Sequence, residues 1–341
     1  MGGNALKTVE TRRYLKPEFD LVYSEIYHKL QGIAGDCTYV ELVESYEDKD
    51  SFGDMDIVIV LREDVRILEM VKRVFNPREI FRNSNIVSFD YGDLQVDLIV
   101  QPNIEVAKFA SNYFAFNDLG NFIGRTSQRL GFKFCHDGLK YHFRDPENIS
   151  RTIDEILVTL DFREALEFLD FDYFRYLKGF KTKQDVFEFA ASSSYFSIQS
   201  FLLENRNSED RRRDTKRVMY QEALVYLKEN FDVETSKGPS AKDRAERLST
   251  AMNLFPDFKL SYDHALRHFE MMKAYKANFN GDNVSEWFGV EGVELGRLMQ
   301  RYRVYFEDSF LVEWISKLDK ETFRSVMVTL KDKVLVHEQS F

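Results

Sequence analysis

Apolar positions recur at helical spacing over residues 17–30, where Phe19, Val22, Ile26 and Leu30 share a face. Residues 38–43 read as a strand, and 45–52 as a polar loop. Residues 54–61 run into Ile57-Val58-Ile59-Val60-Leu61, the signature of a buried strand. A helix is expected over 66–75, ended by Asn76-Pro77. Residues 85–89 and 94–100 predict a hairpin about Tyr91-Gly92-Asp93. Residues 105–130 are expected to be largely helical with interruptions at Gly120 and Gly124, and short strands are expected at 132–134 and 139–143. From about Ser150 the pattern is helical with few strand signals, broken at Lys237-Gly238-Pro239-Ser240. The expected fold is α+β: a mixed sheet with flanking helices over 1–148, then an all-helical domain over 149–341.

The chain has 341 residues, of which 44% are hydrophobic, enough for about two domain cores. Its 31 Phe and 17 Tyr argue against extensive disorder. A formal charge of -10 excludes non-specific coating of nucleic acid by the whole surface and leaves room for a local basic groove. Cys37 and Cys135 are the only cysteines, which implies no disulfide framework and a reducing, cytoplasmic setting. No apolar run reaches about 18 residues, so no membrane span is expected. The N-terminal stretch shows no signal-peptide core, and Leu6 stands where a myristoylation motif carries Ser or Thr. Composition says nothing of oligomeric state.

Candidate chemistry concentrates at the start of the buried strand. Asp54 and Asp56 alternate onto one strand face, while Met55 and Ile57 point to the other. Asp97 sits in a second apolar strand, among Val96, Leu98, Ile99 and Val100. If these strands are neighbours, three carboxylates converge. Such a group is disfavoured without counter-charge. Divalent cations supply it, and Mg²⁺ (with Mn²⁺ as substitute) takes hard oxygen ligands together with substrate phosphates. Two such ions suit an in-line displacement at phosphorus.

The run Ser45 … Gly53-Asp54-Met55-Asp56, followed by QVDLIV, resembles the palm signature of the DNA polymerase beta-like nucleotidyltransferase superfamily. FNDLGNFIGRTSQRLGFKFCHDGLKY resembles the helix, glycine and strand that close the palm in its polymerase branch, so the likeness covers about residues 38–143. It implies that Asp54, Asp56 and Asp97 are catalytic and hold two metal ions. It also implies that Ser45 contacts the outgoing phosphates of a nucleoside triphosphate, ATP included, near Gly53. Lys49 is a candidate phosphate contact in the same loop. One position departs from the pattern: the glycine before the serine is Glu44 here.

Residues 280–306, with Gly281, Gly289, Gly292 and Gly296 before Arg297, Arg301 and Arg303, are similar to a glycine-punctuated segment of CCA-adding tRNA nucleotidyltransferases. EDRRRDTKR, residues 209–217, offers Arg211, Arg212, Arg213 and Arg217 as acceptor-binding residues that track an RNA or DNA backbone; an alternative is a solvated helix face laced with acidic partners. Glu209, Asp210 and Arg213 spell the base-reading element of bacterial CCA-adding enzymes, whose companion Arg-Arg-Asp-Phe is absent.

Other spellings carry little. Asp170-Phe171-Asp172 lies in a helical context where residues two apart do not face each other. His136-Asp137 sits in a turn without partner histidines, and His264 and His268 lack the intervening Glu and a third ligand. Gly2-Gly3-Asn4 reads as a plain flexible terminus, the alternative being a nucleotide loop. Arg12, Arg13 and Tyr14 precede the first helix, and reach into the active cleft is one alternative for them.

The expected activity is metal-dependent transfer of a nucleotide from a nucleoside triphosphate to a hydroxyl, with release of pyrophosphate. The expected acceptor is a nucleic-acid 3′ end, RNA before DNA. The alternatives are nucleotidylation of a protein or small molecule, and a catalytically inactive nucleotidyltransferase-like binding protein.

Overall fold

The computed structural model describes residues 5–32, 36–234 and 238–337. Gly2-Gly3-Asn4, read above as a terminus, and Lys237, at the expected break, lie outside the described residues.

Two compact units divide between Lys259 and Leu260. The first opens with β1 (Tyr14–Leu15), α1 (Lys16–Gly32), β2 (Cys37–Leu42), β3 (Ser51–Phe52) and β4 (Asp54–Leu61). It continues through α2 (Ile67–Phe75), β5 (Ile80–Asn83), β6 (Ile86–Tyr91) and β7 (Leu94–Gln101). Next come α3 (Ile104–Phe114), α4 (Leu119–Arg129), β8 (Phe132–Cys135), β9 (Gly138–Asp145) and β10 (Asn148–Thr159). Helices follow: α5 (Phe162–Phe168), α6 (Tyr173–Leu177), α7 (Lys183–Ala190), α8 (Ser208–Lys216), α9 (Val218–Asn230) and α10 (Ala241–Leu254). The division falls inside α11 (Pro256–Asn278). The helices after β10 thus group with the sheets, in place of a boundary near residue 148.

The main sheet is mixed, in the order β2-β4-β7-β6-β5. Its central strands β4 and β7 are parallel, and the other neighbours are antiparallel. The apolar runs follow from this position. Met55, Ile57 and Ile59 pack on one side with Phe19 and Ile26 of α1, Met70 and Val71 of α2, and Val96 and Leu98 of β7. Val58 and Val60 pack on the other side against Ala107 and Ala110 of α3. A strand buried on both faces needs an unbroken apolar sequence. The hairpin turns at Gly92, whose φ of +62° lies in the left-handed region that favours glycine.

Three sequence expectations change. The helical stretch 105–130 is two helices, and the break lies at Phe116 and Asn117, both at positive φ, not at Gly120 or Gly124. Gly120 lies inside α4, where a Cβ would stand 2.2 Å from the Tyr113 carbonyl oxygen. Residues 148–159 form the twelve-residue strand β10 beside β9, although helix was expected from Ser150. Its first eight residues are exposed, so the sequence there lacks the alternation that marks a strand. The polar loop 45–52 ends in β3, which pairs antiparallel with β1.

The second unit runs from Leu260 through α12 (Gly281–Phe288), α13 (Gly292–Asp308), α14 (Val312–Ser316) and α15 (Lys320–His337). It has its own core, in which Phe279, Val284, Tyr302, Phe306, Phe323 and Met327 are buried. Gly289 caps α12 in the left-handed conformation, at φ +66°.

Candidate metal centre

Register builds the site. Parallel pairing sets Asp54 opposite Gln95 and Asp56 opposite Asp97. On the far side of β7, Ser88 of β6 stands opposite Asp97. Side chains on one face of a sheet line up in such rows. The face that α3 covers at Val58 and Val60 therefore carries Asp56 and Asp54 at the start of the same strand. One carboxylate oxygen from each of Asp54, Asp56 and Asp97 lies within 4.8 Å of the other two. All three residues are half-buried.

The electrostatics are those of an acidic group short of counter-charge. Burial, then the neighbouring Asp54 and Asp97, push Asp56 well above the usual carboxylate range, and Lys49 offsets this in part. Asp97 is pushed up to about 6, chiefly by burial. Hydrogen bonds from Ser88 and Gln95 moderate the rise, and the Asp54 charge adds to it. Gln95 Nε2 donates to both Asp97 oxygens at 3.0 and 3.1 Å, and its Oε1 accepts from the Ala5 amide at 2.9 Å. Gln95 and Ser88 were not singled out from sequence. The signal was present in the two-residue spacing of Gln95 and Asp97, which puts both on one face of β7.

The loop after β2 closes one side. Val43 donates its amide to the Asp56 carbonyl at 2.9 Å, which ties the start of the loop to the acidic strand. Glu47 and Asp48 donate amides to the carbonyls of Phe180 and Lys181, so the turn is braced by the segment before α7. Ser45 is half-buried in this loop, and Gly53 is buried between β3 and β4. Glu44 is exposed, and its carbonyl accepts from the Phe116 amide at 2.8 Å. Lys49 Nζ stands 4.5 Å from the Phe52 ring centre. Burial lowers its pKa, while attraction to Asp54 and Asp56 works the other way. Arg13 donates to the Ser51 hydroxyl and carbonyl at 3.0 and 2.6 Å, and its charge repels that of Lys49. Arg12 instead pairs with Glu18 and lies over Tyr14.

The basic run on α8 is largely engaged within the fold. Arg211 donates to the carbonyls of Leu203 and Arg206, at 2.9 Å each. Arg213 pairs with Asp210 and Asp214, at 3.0 and 3.2 Å. Arg217 pairs with Asp118 at the start of α4. Arg212 is exposed. The remaining spellings have structural roles. Asp172 caps α6, Asp170 accepts from the Ser194 amide, and Asp137 is held by Lys140 and Cys135. The His264 and His268 rings are stacked 6.5 Å apart.

Three carboxylates at this spacing offer only hard oxygen donors and could hold a hard divalent cation. Among the described residues no other cluster of His, Cys, Asp and Glu has metal-ligand geometry. No helix among those residues is long and apolar enough to cross a membrane. No family model matches the chain, and no curated protein matches it.

Proposed function

We propose that this chain is a metal-dependent nucleotidyltransferase of the DNA polymerase beta-like kind. The observation that carries the proposal is the facing of Asp56 and Asp97 across parallel β4 and β7, with Asp54 on the same face. A pair of Mg²⁺ ions bound there would supply positive charge to the attacking and leaving oxygens of a phosphoryl transfer. Asp54 and Asp56 would hold the donor end of the site. An Asp97 oxygen would accept the proton of the attacking hydroxyl. Gln95, with its two bonds to Asp97, fixes the orientation of that carboxylate. Ser45 and Lys49 stand in the adjoining loop as phosphate contacts, and Arg13 adds positive charge near Lys49.

The donor in this proposal is a nucleoside triphosphate and the acceptor is the 3′ hydroxyl of a nucleic acid, RNA before DNA. A second acceptor class, a hydroxyl on a protein or small molecule, is favoured by the engagement of Arg211, Arg213 and Arg217 within the fold and by the net charge of -10. Transfer of label from α-labelled triphosphates tests both. Each ribo- and deoxynucleotide is offered with Mg²⁺ or Mn²⁺ to tRNA, single-stranded DNA, primed duplex and protein. Labelling that disappears in Asp54→Ala/Asp56→Ala is expected. Equal labelling by wild type and this variant would remove the acidic row from the chemistry. Binding of triphosphate without any turnover would favour the inactive binding protein, which Glu44 in place of glycine also suits.

A further inference from the structure

A second site follows from an arginine-lined cleft in the first unit that shares no residue with the acidic row. The cleft has a volume of about 640 Å³. Arg125, Gln128 and Arg129 of α4 face it from one side, and Ser200, Asn205 and Arg206 from the segment before α8. Three guanidiniums line it, and no carboxylate does among the described residues.

The arginine side chains are held in place before any ligand arrives. Arg125 is 3% exposed and Arg206 9% exposed. Asp214 takes Arg125 Nη2 at 2.6 Å, and Asp210 binds Arg206 and lies 3.4 Å from Arg125. Arg213 binds the same two carboxylates. Three guanidiniums thus meet two carboxylates, and the group keeps a net positive charge. Buried charge left uncompensated is costly. The Nε atoms of both Arg125 and Arg206 are buried without a hydrogen-bond partner. Arg129 is half-buried and forms one bond, from Nε to the Ser200 hydroxyl at 2.9 Å, so its terminal nitrogens remain as donors toward the cleft. A planar fork of N–H donors in a partly dry, positively charged wall matches the tetrahedral oxygens of phosphate.

We propose that this cleft is a phosphate-binding site, with Arg129 as the principal contact and Arg206 and Arg125 as the charged wall behind it. The phosphate comes either from a free nucleotide or from a nucleic-acid 5′ end. The proposal does not rest on transferase activity.

Calorimetric titration of the full chain in EDTA tests it, with inorganic phosphate, AMP, and a short oligonucleotide bearing either a 5′ phosphate or a 5′ hydroxyl as probes. Phosphate-bearing probes are expected to bind at one site per chain. Arg129→Met should weaken them about tenfold or more, and Arg129→Lys should retain part of the affinity. Ser200→Ala removes the Arg129 bond but leaves its donors, so it should change affinity no more than about threefold; a purely structural Arg129 would make it as damaging as Arg129→Met. Asp56→Asn should bind as wild type does, which separates this site from the acidic row. A preference for the 5′-phosphorylated oligonucleotide over AMP assigns the site to a nucleic-acid end, and the reverse assigns it to free nucleotide. No binding by wild type, or equal binding by Arg129→Met in a protein of unchanged fold, would overturn the proposal.

Discussion

Asp56 lies between two other carboxylates, and Lys49 offsets only part of their repulsion. An amide there keeps the shape and removes the charge. Asp56→Asn is therefore expected to raise the melting temperature in EDTA by about 2–4 °C, corresponding to roughly 1 kcal/mol, while losing stabilisation by Mg²⁺. Scanning fluorimetry with and without Mg²⁺ reads both effects, and a lower melting point in EDTA would contradict the repulsion. Gln95→Leu keeps the bulk but deletes both donors to Asp97. It should weaken Mg²⁺ binding roughly 10–100-fold, read by titration, with the same carboxylates still present. The three acids were legible in the sequence because polar letters stand out in apolar strands. The partners of the α8 arginines were not. Asp118 lies 99 residues from Arg217, and the Leu203 carbonyl that Arg211 reaches has no side-chain signature.

Elements were legible where burial left a periodic trace. β4 and β7 announced themselves because both faces are covered, whereas their adjacency and parallel sense had to come from the fold. β5, with three of its four residues exposed, left almost no trace, and β10 was obscured for the same reason. Gly120 shows a constraint of another kind, a close approach of α4 to Tyr113. Gly120→Ala should destabilise the first unit by about 1–3 kcal/mol, measured by urea unfolding; an unchanged midpoint would mean that the two segments separate freely. Residues 7–9 of the N-terminal segment are fastened by one side chain. Glu79 accepts the amides of Lys7, Thr8 and Val9 and the Thr8 hydroxyl. These bonds hold its carboxyl down to about 2, against an ordinary value of about 4.3. A lowered acid stabilises the fold above its ordinary value, and that contribution fades as pH falls from about 4.5 toward 2. Hydrogen exchange at Thr8 and Val9 should lose protection across this window in wild type. Glu79→Gln should show weaker protection already at neutral pH and little change across the window.

Across the whole molecule, each unit carries its own core. Phe306 is fully buried in the second. Phe306→Ala should cost that unit about 3–5 kcal/mol and leave the Mg²⁺ titration at the acidic row unchanged. A shifted Mg²⁺ midpoint would show that the units are energetically linked. The division at Lys259 was not legible because the change from strand to helix near residue 160 is a change of secondary structure, not of packing.

The parallel register of β4 and β7 also bears on how mutations spread through such a chain. Side chains alternate with a period of two, so a slip of one residue would turn Asp97 into the layer of Met55 and Ile57 and bring Leu98 out beside Asp56. Burial of Val96 and Leu98 against Met55 and Ile57 forbids that slip. The same greasy contacts that keep the sheet folded therefore act as the ruler that spaces the acids. Core substitutions that keep the β4–β7 register therefore keep the spacing of the acids, and ones that shift it lose that spacing even with all three acids present.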